Sequence, residues 1–287
     1  LEDHLWNQKF EGDFYKKPYL YEIKKEEGKI VVHLWCRGEE ENFLELHKYI
    51  TIFSDKTSIL VDYSFKNLPQ SRIPITIHPW FHHYTFLEGK NIYYIPTEEG
   101  IEEIEYDPKN PRKDIWFFNP SRSWIGVIGE NNFGIVFIPE YKYIKCFYNW
   151  FSKIGATIEW RFVPIEIETG EEFRTSFYIL PFFGLKSING AGKSLVGSIE
   201  KNEKEIKIEL FSSEENELNY VIKYSDEIGK KNMKKLKEGV IKLSLNSKTS
   251  IKIPFEEAKK IRIVRCEIYK EGKFLCDVEK PFFEDEI

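Results

Sequence analysis

Two residues suited to acid–base and hydrogen-bonding chemistry, Glu159 and Arg161, stand two positions apart in a run that alternates between polar and apolar residues. Side chains alternate across a β-strand, so this spacing predicts that the carboxylate and the guanidinium share one face. The opposite face is then formed by Ile158, Trp160 and Phe162, which are suited to a core. A carboxylate accepts hydrogen bonds and a guanidinium donates them, so the pair suits the hydroxyl groups of a sugar.

An imidazole-rich motif, His78-Pro79-Trp80-Phe81-His82-His83, stands at the end of another predicted strand. Imidazoles add hydrogen-bonding groups, and flat aromatic rings are suited to stacking on pyranose faces. A further polar stretch, residues 119–124, contains Arg122. The predicted substrate contacts are Arg161, Trp80, His82, Arg122 and Trp160.

Each of these residues has a structural alternative that the sequence leaves open. His78 can be a hydrogen-bonded histidine at a strand end, and Glu159 can be the partly buried ion-pair partner of an arginine. Tryptophans are more typical of a core than of a binding platform. Zinc binding is not expected, because His82 and His83 are adjacent and would point to opposite faces of a strand. We predict neither a metal site nor a cofactor.

The elements expected to position these residues are β-strands. Short alternating runs separated by turn residues recur along the chain, so less than roughly a tenth of it is predicted to be helical. Every tryptophan and histidine precedes Gly190, and the glycine-rich segment 187–193 predicts a boundary between residues 185 and 197. We therefore predict an all-β chain, with a large β-sandwich at 1–190 and an immunoglobulin-like β-sandwich at 191–287.

Composition argues against several classes of protein. The 287 residues carry 42 basic and 47 acidic side chains, a net charge of −5, so nucleic acid is not an expected partner. The sequence has no apolar run long enough to predict a membrane span. It begins with Leu1 rather than methionine, which we interpret as a processed or excised soluble product, with a cytoplasmic or an extracellular location left open. Abundant Lys, Glu and Ile with a single Met is typical of a thermophile protein.

Two smaller features also give predictions. The four cysteines, Cys36, Cys146, Cys266 and Cys276, are scattered and are predicted to be free thiols. The last two flank a hairpin turn, and they could face each other only if the loop has three residues rather than two. The lysine-rich segment 228–238 is interpreted as a solvated loop or a short helix.

Two parts of the sequence resemble the galactose mutarotase-like superfamily, which includes the aldose epimerases. The first joins residues 58–67, an alternating strand ending in asparagine, to residues 74–81, which contain His-Pro-Trp-Phe. The second, residues 156–180, is similar to that superfamily's carboxylate-bearing strand and its closing strand. The resemblance implies a mutarotase-like β-supersandwich over residues 1–190. It also implies that His78 takes the place of the catalytic histidine and Glu159 that of the general base.

The resemblance leads to a functional prediction with two alternatives. The superfamily usually has an upstream His-Gly motif, which this sequence lacks, so we predict a carbohydrate-binding or accessory module whose ligand is a sugar or polysaccharide. One alternative is an aldose 1-epimerase with Glu159 as base and His78 as acid. The other is a structural or interaction protein without a small ligand. The chain also resembles the all-β C-terminal portions of archaeal glycoside hydrolases, which implies a preceding catalytic domain or a partner protein.

Overall fold

The regular secondary structure of the described residues is almost entirely β-strand. A computed structural model describes residues 14, 17–38, 43–85, 87–202, 204–228, 232–254 and 260–283, together with the backbone of residues 2–5. Within these ranges the helical elements are two short 3-10 turns, Pro69–Ser71 and Tyr141–Tyr143. Neither turn approaches the length and apolar character that a membrane-crossing helix requires. The predicted all-β class and low helix content are confirmed.

Seventeen strands are described before residue 184. They are β1 (Glu2–Leu5), β2 (Leu20–Glu26), β3 (Lys29–Arg37), β4 (Leu44–Phe53), β5 (Ile59–Asn67), β6 (Ile75–Ile77), β7 (Pro79–Thr85), β8 (Asn91–Thr97), β9 (Gly100–Tyr106), β10 (Ile115–Phe118), β11 (Ile125–Gly129), β12 (Phe133–Pro139), β13 (Ile144–Asn149), β14 (Phe151–Ser152), β15 (Gly155–Phe162), β16 (Ile165–Ile167) and β17 (Glu172–Phe183).

These strands form two large sheets and one small one. The nine-stranded sheet has the order β2-β3-β4-β5-β17-β12-β11-β8-β9. The six-stranded sheet has the order β1-β7-β15-β13-β10, with β14 paired to β15. Strands β6 and β16 pair with each other. The strands that carry His82 and Glu159, β7 and β15, are therefore direct neighbours, although about eighty residues of sequence separate them.

One apolar core joins the two large sheets. It takes Tyr63 and Phe177 from the nine-stranded sheet and Phe81 and Trp160 from the six-stranded sheet. The indole of Trp160 is 0% exposed and packs at 4.8 Å, centroid to centroid, from the ring of Phe177. The alternation of β15 explains this placement, because its apolar residues face inward while Glu159 and Arg161 face away from the core.

Among the described residues after 189, eight further strands pair among themselves. They are β18 (Gly190–Gly192), β19 (Leu195–Lys201), β20 (Glu205–Ser212), β21 (Asn216–Ser225), β22 (Lys234–Leu243), β23 (Ser247–Pro254), β24 (Ile263–Lys270) and β25 (Lys273–Pro281). They form two four-stranded sheets, β18-β19-β20-β23 and β22-β21-β24-β25, which share a second apolar core. The change of pairing falls within the predicted interval, while the division into two domains and the immunoglobulin-like assignment stay predictions.

The lysine-rich segment is where the fold differs from the sequence-based interpretation. Residues 229–231 lie outside the described residues, but Lys234 begins β22, which is a strand rather than a loop or helix. This strand lies at the edge of its sheet, where exposed lysines discourage pairing with another chain. Lys234, Lys235 and Lys237 therefore lie on an edge strand.

Cys266 and Cys276 flank a hairpin whose loop has two residues rather than three. Lys270 pairs with Lys273 across a turn of Glu271 and Gly272, both at positive φ. Cys276 is opposite Ile268, two positions from Cys266, and both thiols are free and buried. Burial raises the pKa of the Cys276 thiol to about 12, so the thiol is protonated at neutral pH. The prediction of free thiols is confirmed.

The C-terminal strands pack against the outer face of the nine-stranded sheet, opposite the first core. A third apolar cluster joins Trp124 and Phe182 of the earlier part to Ile188 and Phe211 of the later part. Gly190 is needed at this junction, because a Cβ atom there would lie 2.1 Å from the carbonyl oxygen of Asp277. This packing covers one end of the outer face and leaves β3, β4 and β5 uncovered by that cluster.

Candidate functional site

The outer face of the six-stranded sheet carries two rows of polar and aromatic residues, which together we call the candidate face. Strand register places His82 opposite Glu159, Glu159 opposite Tyr148, and Tyr148 opposite Trp116. The second row, one pleat along, consists of Trp80, Arg161, Cys146 and Phe118. Antiparallel pairing thus brings four separate segments of the sequence into one surface.

Glu159 is the buried acidic group of the candidate face. Its side chain is 2% exposed, and its Oε2 lies 3.3 Å from Nδ1 of His82. The hydroxyl of Thr157 donates a 2.5 Å hydrogen bond to Oε1 of Glu159, and the same hydroxyl accepts a 3.3 Å bond from the amide of Trp150. A buried carboxylate requires such partners, and these fix its orientation.

The ring of Trp80 lies beside the guanidinium of Arg161. The Cζ atom of Arg161 lies 5.7 Å from the centroid of the Trp80 ring, within cation–π range. Trp80 in turn lies 5.1 Å from the His82 ring and 5.5 Å from the Trp116 ring. The charged groups of the candidate face are therefore enclosed by flat aromatic surfaces on one side.

The candidate face opens to solvent at β10. Trp116 is 41% exposed and Phe118 is 61% exposed, and their rings are stacked with centroids 6.1 Å apart. Tyr148 packs 4.3 Å from the Trp116 ring, and its hydroxyl donates a 2.7 Å hydrogen bond to Asp114. The surface thus grades from a buried carboxylate to exposed rings on which a ligand can lie.

Sequence reasoning did not select Trp116 or Tyr148 as contacts. The sequence-based prediction groups Trp116 with the tryptophans typical of a core, and its list of contacts does not contain Tyr148. The sequence does contain a pattern that indicates Trp116. Within the short run 115–118, strand alternation places the large rings of Trp116 and Phe118 on the same face.

His78 stands directly before β7, in the same alternation phase as Trp80 and His82. It is half-buried, and burial together with the nearby charge of Arg161 lowers the pKa of its imidazole. A neutral imidazole at this position can donate or accept a hydrogen bond. That His78 and Glu159 serve one ligand stays a prediction.

Two predicted substrate contacts lie elsewhere. Trp160 is in the core between the sheets, where its ring stacks 4.4 Å from the buried ring of His83. It follows Glu159 directly, so strand alternation turns it to the opposite face. Arg122 donates hydrogen bonds of 3.1 and 2.9 Å to the carboxylate of Asp277 in β25, and it joins the two parts of the chain. The burial of Trp160 corrects its assignment as a substrate contact, whereas that of Arg122 stays a prediction.

Comparisons with known proteins identify the fold. No protein-family model matches the sequence, and no curated protein matches it either. Among solved structures, the Slr1438 protein of Synechocystis sp. PCC 6803 is 12% identical, with a TM-score of 0.50 over 63% of this chain and 73% of that one.

Two further solved structures show weaker likeness. A candidate aldose 1-epimerase of Escherichia coli K12 is 12% identical, with a TM-score of 0.45 over 61% of this chain and 72% of that one. The α-N-acetylgalactosaminidase NagBb of Bifidobacterium bifidum, in complex with GalNAc, is 11% identical, with a TM-score of 0.48 over 65% of this chain and 31% of that one. The likeness to Slr1438 shows the fold of the N-terminal part, and the predicted resemblance to mutarotase-like proteins recurs among the solved structures to which the chain is similar.

Proposed function

We propose that this protein binds a carbohydrate on the candidate face. The observation that carries the proposal is the pairing of His82–Glu159 and Trp80–Arg161 on adjacent strands, with the exposed ring of Trp116 beside them. Sugar hydroxyls need donors and acceptors in fixed positions, and pyranose faces need flat apolar rings. The candidate face supplies both, with buried polar groups next to the exposed ring of Trp116.

The electrostatics of the face favour a neutral hydroxylated ligand. One carboxylate, one guanidinium and imidazoles supply acceptors and donors, so the face has no large excess of one charge. A basic excess suited to phosphate or nucleic acid is also absent from the composition of the chain. The named groups of the face match the many hydroxyl groups of a saccharide.

The binding proposal is tested by a glycan-array screen followed by titration calorimetry on the best ligand. We expect Glu159→Gln to weaken binding about tenfold, since a hydrogen bond to a charged group contributes about 1.5–3 kcal/mol. Trp116→Ala is expected to weaken binding several-fold through lost stacking. The control is Glu102→Gln, which removes the same charge from an exposed position on β9.

Equal affinity of Glu159→Gln, Trp116→Ala and Glu102→Gln for the ligand would remove the candidate face as the binding site. If no glycan binds the native chain, the alternative of a structural or interaction protein without a small ligand replaces the proposal.

An aldose 1-epimerase is the second candidate, and the 3.3 Å contact of His82 with Glu159 favours it. Mutarotation needs a base for the anomeric hydroxyl proton and an acid for the ring oxygen, and one positioned proton-transfer group contributes about 10²- to 10⁴-fold. We expect no acceleration of glucose or galactose mutarotation in a polarimeter, because the upstream His-Gly motif is missing. Rapid interconversion that Glu159→Gln abolishes would establish the epimerase instead.

A further inference from the structure

A second polar cavity lies on the other large sheet, on the side facing away from the first core. Its volume is about 330 Å³, and it is lined by side chains of β4, β5 and β17 together with Glu140. Strand register aligns Tyr49, Asp62 and Ser176 in one row across these three strands. Ser64 and Arg174 are opposite each other in the next row. We call this cavity the β5 cleft.

The alternation of β5 explains why the cleft is polar. Val61, Tyr63 and Phe65 are buried in the core between the sheets. The intervening residues Asp62 and Ser64 consequently point to the opposite face, where the cleft opens. The apolar cluster under the C-terminal strands covers a different part of the same sheet. The cleft is thus a separate surface from the candidate face, which belongs to the six-stranded sheet.

Asp62 is the feature of the cleft that the fold does not use. Its half-buried carboxylate makes no hydrogen bond or ion pair with any other residue in the described part of the chain. Burial and the negative charge of Glu140 raise the pKa of Asp62, against a smaller opposing effect of the positive charge of Arg174. Partial burial makes the charged carboxylate less favourable than it is in water, and a hydrogen-bond donor offsets that cost. A ligand that donates a hydroxyl hydrogen would recover that cost.

Donors and a flat ring surround this acceptor. The Tyr49 ring is held by stacking on His33, with centroids 4.3 Å apart. Glu172 orients Arg174. Nε of Arg174 donates a 2.7 Å hydrogen bond to Oε1 of Glu172, and Nη2 of Arg174 lies 2.6 Å from the same oxygen. The hydroxyl of Thr175 donates a 3.3 Å hydrogen bond to Glu140, which fixes the second carboxylate. The lining is therefore preorganised by contacts that leave Asp62 available.

The geometry points to the β5 cleft as a second ligand site, which takes a hydroxyl-rich molecule of one or two sugar rings. Its volume lies at the small end of ligand pockets, which are about 300–1,000 Å³. A metal ion is a poorer fit, because no group of three His, Cys, Asp or Glu side chains among the described residues could hold one. This site does not depend on the candidate face, and its test is designed to exclude that face.

Titration calorimetry with glucose, galactose, N-acetylglucosamine, maltose and cellobiose tests the inference on Glu159→Gln protein, in which binding at the candidate face is expected to be about tenfold weaker. We expect at least one of these sugars to bind, and Asp62→Asn in that background to weaken it about tenfold. Asp55→Asn, which removes one charge from an exposed position on the same chain, is the control and should leave the affinity unchanged.

The pH dependence gives a second readout. Protonation of Asp62 removes the acceptor, so the affinity of Glu159→Gln protein for the sugar should fall as the pH falls through the raised pKa of Asp62. Adding Asp62→Asn should flatten this pH dependence. Thermal unfolding of each variant shows whether the fold is retained. Failure of all five sugars to bind Glu159→Gln protein, or equal affinities of Asp62→Asn and Asp55→Asn, would overturn the second site.

Discussion

Replacing Trp160 by alanine is expected to lower the free energy of unfolding by about 3–5 kcal/mol, the range for truncating a buried aromatic side chain. The indole is fully buried and contacts rings from both large sheets, including Phe81 at 5.6 Å and Phe177 at 4.8 Å. Its removal leaves a cavity that two sheets cannot close without moving against each other. The loss should therefore fall near the top of the range for single substitutions.

Urea unfolding followed by far-ultraviolet circular dichroism measures this effect. Trp116→Ala is the matched control, because it deletes the same side chain from a position that is 41% exposed. We expect the control to lose about 1 kcal/mol or less. A Trp160→Ala protein as stable as Trp116→Ala would mean that the indole is not in the core, and it would restore Trp160 as a possible ligand contact.

Replacing His83 by phenylalanine is expected to flatten the decline of stability at acid pH. His83 is enclosed by Phe137, Trp160 and Phe177, and burial holds the pKa of its imidazole well below the ordinary value. In the unfolded chain the imidazole takes up a proton below about pH 6.5, whereas the folded chain keeps it neutral. The unfolded state then binds more protons, so stability falls as the pH falls.

The size of this effect follows from the linkage between proton binding and folding. Between pH 7.5 and pH 5, His83 should cost the native chain about 2 kcal/mol that His83→Phe does not lose. Urea titrations at several pH values, compared between the two proteins, isolate this contribution because all other titrating groups are shared. Parallel pH profiles would show that the His83 imidazole accepts a proton within the fold.

The sequence predicted the local faces of strands better than it predicted their neighbours. Alternation placed Glu159 and Arg161 together on one face of β15, as observed. The same alternation should have excluded Trp160 from the ligand contacts, because one residue along a strand reverses the side-chain direction. That error came from weighing residue type above strand phase.

The partners of β15 could not be read from the sequence, because register depends on which distant segments share the sheet. The contact between His82 and Glu159 joins residues about eighty positions apart, and no local pattern fixes it. The same reason accounts for Arg122, whose carboxylate partner Asp277 lies in β25, about 155 positions further along the sequence. Long-range charge pairs of this kind appear only once the sheets are assembled.

The mutarotase-like resemblance supplied the long-range information that periodicity lacked. It grouped the His-Pro-Trp-Phe motif with the carboxylate-bearing strand, and the structure places these two segments on neighbouring strands β7 and β15. It carried no information about β10, where Trp116 and Phe118 open the candidate face to solvent.

The measurement that tests the central proposal most directly is the response of tryptophan indole N–H resonances to a bound sugar. The chain has seven tryptophans, so a ¹H–¹⁵N spectrum offers a small set of signals that single substitutions can assign. Binding at the candidate face predicts that the indole signals of Trp80 and Trp116 shift on addition of the sugar, while that of the core residue Trp160 does not. If the indole signals of Trp80 and Trp116 stay unchanged at saturating sugar, carbohydrate binding at this face is contradicted.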